Sequence, residues 1–410
     1  TGPVEFGGQG FPQMVACAFH EMLMASSLSF RVYSGLTEGA VLALHKHGSA
    51  ALKQTYLGKM VSGHWAGTMC LTEAHAGSDL GIIRSKAESN EDGSYAITGQ
   101  KIFISAGEHD MADNIVHIVL ARLPGAPAGT KGISLFIVPK FNVNEDGSIG
   151  ERNPVTCGSI EHKMGIKASA TAVLNFDKAK GYLIGPENKG LNCMFTFMNT
   201  ARIGTAIQGL TAAELAFQGG LSYAKDRLAM RALSGAKAPE QVADPIIVHP
   251  AVRNMVLTCK AFAEGGRALV YYLSQFSDVV TKGEGETQAY ADQMLSFLTP
   301  IAKAFLTETG YEAANHGVQV YGGHGFIREW GMEQNVRDTR IACLYEGTTE
   351  IQSLDLLGRK VLQTQGAMLK DFTKIIHKFI EANKDNAAMQ EFIAPLAAAN
   401  KEWGDITMQI

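Results

Sequence analysis

Apolar residues recur at helical spacing between about residues 11 and 65, in Met14, Val15, Met22, Leu23 and Met24 and again across 39–44. Near Met69 the period changes. Short apolar or alternating bursts follow at 95–98, 101–105, 115–120, 133–138 and 172–176, and the turn pairs Asp92-Gly93, Pro124-Gly125 and Asp146-Gly147 fall between them. That spacing predicts a β domain of about 110 residues. From about 190 the helical period returns. The stretch 203–231 is rich in Ala, Leu and Gln, a polar loop occupies 234–240, and further helices are predicted near 249–277, 288–317, 349–364 and 366–402. Helices, then strands, then helices imply segregated layers, an α+β fold, rather than βαβ alternation.

Composition narrows the function classes. Of 410 residues, 46% are hydrophobic and 19% charged, a globular balance that excludes general disorder. The net charge of −4 carries no basic nucleic-acid footprint. No apolar run reaches about 18 uninterrupted residues, so no membrane span is expected. The six cysteines are scattered without a Cys-x-x-Cys, which reads as reduced, mostly buried thiols of an intracellular protein. The chain begins at Thr1 in a Gly-rich loop and reads as a fragment, so no targeting peptide can be judged.

Common chemical signatures are missing. The clusters Gly7-Gly8-Gln9-Gly10 and Gly322-Gly323-His324-Gly325 have the wrong spacing for a dinucleotide fingerprint. There is no phosphate loop, nucleophile elbow or H-E-x-x-H, and the twelve histidines show no ligand spacing, so no metal is expected.

Four segments carry candidate chemistry. At 71–79 (LTEAHAGSD), hydroxyls and free backbone N–H groups suit an aromatic cofactor's carbonyls or a phosphate, or form a turn capped by Ser78 and Asp79. At 99–107 (GQKIFISAG), Phe103 and Ser105 share one strand face and either line a flat ring or leave Phe103 in the core. At 319–326 (QVYGGHGF), the glycines bring the backbone close to a helix or a ligand. At 345–352 (YEGTTEIQ), Glu346 is a desolvated base or a surface carboxylate, and Thr348 or Thr349 caps a helix.

Taken in order with KMGIKAS at 163–169 and YAKDR at 223–227, these segments resemble the acyl-CoA dehydrogenases, flavoenzymes that oxidise acyl-CoA thioesters to 2-enoyl-CoA. The ending DLLGRK at 355–360 and the helical tail resemble the family's longer branch, which includes 3-methylmercaptopropionyl-CoA dehydrogenases. The resemblance implies an α+β fold of N-terminal helices, a central antiparallel β-barrel-like domain and a C-terminal helical bundle with additional C-terminal helices. It divides the chain into 1–66, the remainder of an N-terminal helical domain whose first helices would precede Thr1; 67–185, the middle β domain; 186–365, a four-helix-bundle domain; and 366–410, the start of an extra helical region.

The resemblance also implies roles. Leu71, Thr72 and Ser78 would contact the FAD ring and pyrophosphate, with Phe103 and Ser105 across the ring. Most relatives have Trp in place of Phe103, a larger stacking surface. Arg227, Gln319 and Gly323 would reach the FAD of a neighbouring subunit, and Thr348 and Glu350 would return to the bound FAD, although many relatives have Gln in place of Glu350. Ser169, Asn199, Arg202 and Gly347 would hold the acyl-CoA substrate. Glu346 would abstract the α-proton while flavin N5 takes the β-hydride, with the flavin 2′-OH and the Glu346 N–H polarising the thioester carbonyl. Some relatives carry the base at the position of Ala201, which has no such group.

The expected partners are an acyl-CoA, an electron-transfer flavoprotein and identical subunits in a homodimer or homotetramer. An oxidase, in which oxygen reaches the reduced flavin, is the alternative. An alkylation-response-type DNA-binding flavoprotein is a further one, opposed by the net charge of −4. Met22, Met24, Phe30, Tyr33, Phe195 and Phe197 are candidates for an apolar acyl pocket or for ordinary core. The branch's bacterial members point to a bacterial cytoplasm rather than a mitochondrial matrix.

Overall fold

The computed structural model describes residues 2–409. Its first long helix, α1 (Gln13–His47), leaves helical dihedrals at Ser27 (φ −162°, ψ 96°). The two serines explain the break. Ser26 Oγ donates back to Met22 O at 2.9 Å, and Ser27 Oγ accepts from Phe30 N at 3.3 Å, so Ser27 caps the second half. Helix α2 (Ala50–Val61) follows, capped by Ser49.

The strands are β1 (Trp65–Cys70), β2 (Lys86–Ser89), β3 (Tyr95–Ser105), β4 (Asn114–Arg122), β5 (Ile133–Pro139), β6 (Phe141–Val143), β7 (Ile149–Arg152), β8 (Val155–Ile160) and β9 (Thr171–Ile184). Strand β4 pairs with β2 and β5, β5 with β9, β9 with β3 and β3 with β2, which closes a barrel. Most pairings are antiparallel, but β1 and β2 join β4 in parallel. A parallel pair needs a crossover, and the chain supplies one by passing through β2 and β3 between β1 and β4.

The near-continuous apolar runs of β4 and β5 follow from burial on both faces. Val116, Ile118, Leu120, Leu135 and Ile137 pack outward against Val41 and Leu44 of α1 and against Phe197. Val119, Ala121, Phe136 and Val138 pack inward with Leu174 and Phe176. The barrel therefore has one core inside and shares another with the helices.

Three long helices follow: α3 (Gly190–Asp226), α4 (Pro250–Lys282) and α5 (Gly285–Tyr321). Their shared core holds Ile207, Leu210, Val270, Leu273, Phe297 and Leu306, with Met24 of α1. Short helices α6 (Gly323–Phe326), α7 (Met332–Thr339) and α8 (Thr349–Leu354) come next, and α8 runs into a widened π-helical stretch, Asp355–Leu362. The tail forms two helices, α9 (Ala367–Asn383) and α10 (Gln390–Thr407), rather than one. Phe372 and Trp403 pin both to Phe297, with ring centroids 5.7 and 6.1 Å away. Among the described residues all six cysteines are free, five of them buried, and no helix is long and apolar enough to cross a membrane.

Candidate active site

Glu346 sits in the loop between α7 and α8 with a left-handed backbone (φ 58°), and Gly347 after it also has positive φ (86°). A non-glycine residue holds that conformation only where its surroundings over-determine it. Three contacts do so. Gln352 Nε2 donates to Glu346 O at 3.0 Å and to Gly347 O at 3.2 Å, and Lys303 Nζ donates to Gly347 O at 2.6 Å. A Cβ at Gly347 would meet Gln352 Nε2 at 2.5 Å, so only glycine fits beneath that clamp. Thr348 Oγ1 accepts from Ile351 N at 3.3 Å and caps α8.

The Glu346 carboxyl is pushed up to about 7 by burial, opposed by the positive charges of Arg202 and Lys303. Its Oε2 is buried without a hydrogen-bond partner. Both cations are engaged elsewhere. Lys303, fully buried on α5 and lowered to about 8 by burial, donates to the Gly347 carbonyl. Arg202, 3% exposed on α3, pairs with Asp355 through Nη1–Oδ2 at 2.8 Å. The Tyr345 hydroxyl donates to Gln208 Oε1, anchoring the other side of the loop to α3.

Glu346 opens on one large cavity, about 1950 Å³, between α1, α3, α7 and the barrel. Leu71, Thr72, Ser78, Phe103, Ser105, Asn199, Arg202 and Gly347 line the same cavity. Phe103 is 60% exposed rather than core. It does not share a regular strand face with Ser105. The β3–β9 register slips between Lys101 and Ile104, Phe103 takes φ 57°, and the ring turns out while Ile104 turns in. The 71–79 segment is a tight turn, closed by reciprocal Glu73–Ala76 backbone bonds and by Asp79 Oδ1 accepting from Gly81 N at 2.8 Å.

The other expected residues lie outside that lining. Ser169 is fully buried, with its Oγ unpartnered and its carbonyl holding Lys163 Nζ at 2.7 Å; its N–H bonds back to Ile166 O and folds it under the loop. Thr348 is occupied as a cap, and Glu350 points to solvent in the first turn of α8. Arg227, Gln319 and Gly323 are exposed together at one end of the bundle. There Tyr223 stacks on Tyr321 (4.2 Å) and meets His324 Nδ1 at 2.9 Å, tying the ends of α3 and α5 to α6. Of the acyl-pocket candidates, Met24, Phe30, Tyr33 and Phe195 line the cavity. Met22 faces outward, and Phe197 is fully buried in the core shared with the barrel.

Sequence reasoning missed the residues that support these. Lys101, fully buried, donates to Leu71 O at 3.0 Å and to Glu73 Oε1 at 2.9 Å, joining the 71–79 and 99–107 segments. Lys303, Gln352 and Asp355 were also unmarked. The available signal was a lone charged residue inside an apolar helical run, as Lys303 is in 297–306.

The chain matches the N-terminal, middle and C-terminal domains of acyl-CoA dehydrogenase over residues 1–64, 68–179 and 188–362. It is 48% identical over 97% of its length to 3-methylmercaptopropionyl-CoA dehydrogenase of Ruegeria pomeroyi, of which it covers 67%. It is 39% identical over 93% of its length to a butyryl-CoA dehydrogenase of Syntrophomonas wolfei, of which it covers 63%. The chain thus spans about two thirds of the length of these relatives. A solved acyl-CoA dehydrogenase of Bacillus anthracis, complexed with FAD, superposes with a TM-score of 0.76 at 25% identity, covering 93% of this chain and 62% of that one. On sequence and fold together, the chain belongs to the acyl-CoA dehydrogenase family.

Proposed function

We propose that the chain catalyses FAD-dependent α,β-dehydrogenation of an acyl-CoA thioester to the 2-enoyl-CoA, with Glu346 as the base. One observation carries this reading: a carboxyl raised to about 7 by burial opens on the cavity lined by both candidate ring-binding segments. The α-proton of a thioester is weakly acidic, so a base of ordinary carboxylate strength is poorly matched to it. Burial supplies the match.

The residues present fit a flavin. The outward ring of Phe103 offers a stacking surface, and Thr72, Ser78 and Ser105 bring hydroxyls to the same wall. At about 1950 Å³ the cavity exceeds the roughly 300–1,000 Å³ usual for one small ligand, leaving room for a cofactor beside a thioester. When bound there, FAD supplies the hydride acceptor. Glu346 takes the α-proton, the Glu346 N–H polarises the thioester carbonyl, and Asn199 and Gly347 orient the substrate.

The substrate class follows the nearest chemistry. Met24, Phe30, Tyr33 and Phe195 give an apolar wall, and the relative at 48% identity is named for 3-methylmercaptopropionyl-CoA. Exposed Arg227, Gln319 and Gly323 fit a cofactor contact across a homo-oligomer interface, beside the exposed Phe326 and Trp330. Electrons pass on to an electron-transfer flavoprotein, in a bacterial cytoplasm like that of the relatives' hosts.

The test is anaerobic titration of the purified yellow protein with 3-methylmercaptopropionyl-CoA and straight-chain acyl-CoAs. Bleaching of the oxidised-flavin band in the wild type, absent in Glu346→Gln, is the expected result. Rapid recolouring in air marks an oxidase instead. A bound flavin that no acyl-CoA bleaches overturns the reading.

A further inference from the structure

The carboxylate of Glu346 has two cationic neighbours, and each is held by another acceptor. Lys303, from α5, spends its ammonium on the Gly347 carbonyl at 2.6 Å. Arg202, from α3, spends Nη1 on Asp355 Oδ2 at 2.8 Å. Arg202 and Asp355 are 3% and 4% exposed, so neither charge is satisfied by water. Asp355 stands where α8 gives way to the π-helical stretch, a widened geometry that frequently accompanies functional sites. Its second oxygen takes Arg359 Nη1 at 3.3 Å. Behind Arg202 the remaining charges are those of Lys360 and Asp292. Tyr345, the preceding residue, donates its hydroxyl to Gln208, and Glu308 of α5 accepts from Thr349. Glu346 Oε2 and Arg202 Nε are both buried with no partner.

We propose that Asp355 is a positioning residue for the reaction: by holding the Arg202 guanidinium, it keeps that cation from neutralising the Glu346 carboxylate. The inference rests on Glu346 being the base. An arginine free to form a two-point ion pair with a buried carboxylate would hold it deprotonated but weakly basic. Asp355 diverts that charge without removing it from the site, where it still balances the carboxylate once Glu346 ionises. It also explains why Arg202, on the wall of the cavity, is not simply a substrate clamp: its charge is already committed.

The test is Asp355→Asn, which keeps the shape and removes the charge. Two readouts on the full FAD-loaded protein are needed: the acid limb of the pH–kcat profile, and the infrared carbonyl band of protonated Glu346, assigned by its loss in Glu346→Gln. In Asp355→Asn both are expected to move to lower pH by about 1–3 units, the effect of an opposite charge brought beside a carboxylate, with kcat falling at the plateau. In the double variant Asp355→Asn with Arg202→Met both return to the wild-type position or above it. If Asp355→Asn loses stability but the limb and the band stay where they were, Asp355 is only structural and the proposal fails. If Asp355→Asn does not fold, the apolar double variant Asp355→Leu with Arg202→Met decides: a band at or above the wild-type position supports the proposal, and one below it overturns it. If Glu346→Gln turns over normally, the base reading itself has failed, an outcome distinct from an unmoved band.

Discussion

Gly209 of α3 and Gly310 of α5 meet backbone to backbone: a Cβ at Gly310 would stand 2.3 Å from Gly209 O, and one at Gly209 would stand 1.9 Å from Leu306 O. The two helices run in the same direction, with Tyr223 on Tyr321 at their far ends. Seven residues before each glycine come Arg202 and Lys303. Two helical turns, about 10 Å, therefore separate the closest crossing from the two cations beside Glu346. The glycine contact sets how near those cations come.

That arrangement predicts the effect of one methyl group. Gly310→Ala forces α3 and α5 apart and should cost about 1–3 kcal/mol of stability, the usual penalty for overpacking. It should also lower kcat, because Arg202 and Lys303 shift relative to Glu346. Urea unfolding and single-turnover flavin bleaching measure the two effects. Full stability in Gly310→Ala would show that the crossing can relax.

The pair Lys101–Glu73 makes a second prediction. Glu73 accepts from Lys101 Nζ at 2.9 Å, Ser85 Oγ at 2.7 Å and Arg84 N at 2.7 Å, and the Lys101 charge with these bonds holds its carboxyl down at about 2 despite burial. Lys101→Met leaves Glu73 buried without its cation, a loss of about 3–5 kcal/mol. The folded carboxyl lies below its unfolded value of 4.5, so its contribution is complete above pH 4.5 and disappears as pH falls toward 2. The destabilisation in Lys101→Met should therefore shrink below pH 4.5. Retention of FAD should weaken in parallel, since Lys101 also holds Leu71 O at 3.0 Å. Thermal unfolding across pH with a flavin fluorescence readout checks both.

The layers and the segments that line the cavity were legible because they rest on local pattern. Periods of 3.6 and 2 place α3 and β4, and the hydroxyls of 71–79 are contiguous in the sequence. The bulge at Phe103 was not legible, because strand alternation gives no sign of a one-residue register slip between Lys101 and Ile104. Nor was the engagement of Arg202. It depends on a partner 153 residues away, and a long-range ion pair leaves no periodic trace. Barrel closure through β4–β5 is likewise a pairing of strands, not a property of either one.

Gln352 makes a third prediction. Among the described residues its amide alone holds both the Glu346 and Gly347 carbonyls, and Glu346 is in a left-handed conformation that a non-glycine residue keeps at a cost of about 1–3 kcal/mol. Gln352→Leu fills the space and removes both bonds. Relaxation of the loop should carry the carboxylate away from the substrate and drop kcat at least tenfold, while melting temperature falls by only a few degrees. A kcat within twofold of wild type would mean that Lys303 alone holds the loop.

Glu346 is the strongest case for a trade between stability and activity. Its carboxyl is raised from 4.5 to about 7 by burial, so the folded protein binds a proton more tightly than the unfolded chain does. Where the folded value is higher, stability falls as pH rises between the two values. Below pH 4.5 the group is neutral in both states and costs nothing by this route. Above about 7 the full cost is present, on the order of 3 kcal/mol. Glu346→Gln is neutral at every pH, so its stability relative to wild type should grow as pH rises from 4.5 to 7 and then level off. Turnover in the wild type should rise over the upper part of the same range, as the base loses its proton. Melting curves of the two proteins between pH 4.5 and 8.5 decide it. A stability difference that does not change with pH would mean that the carboxyl ionises freely in the folded state, and that burial does not set its strength as a base.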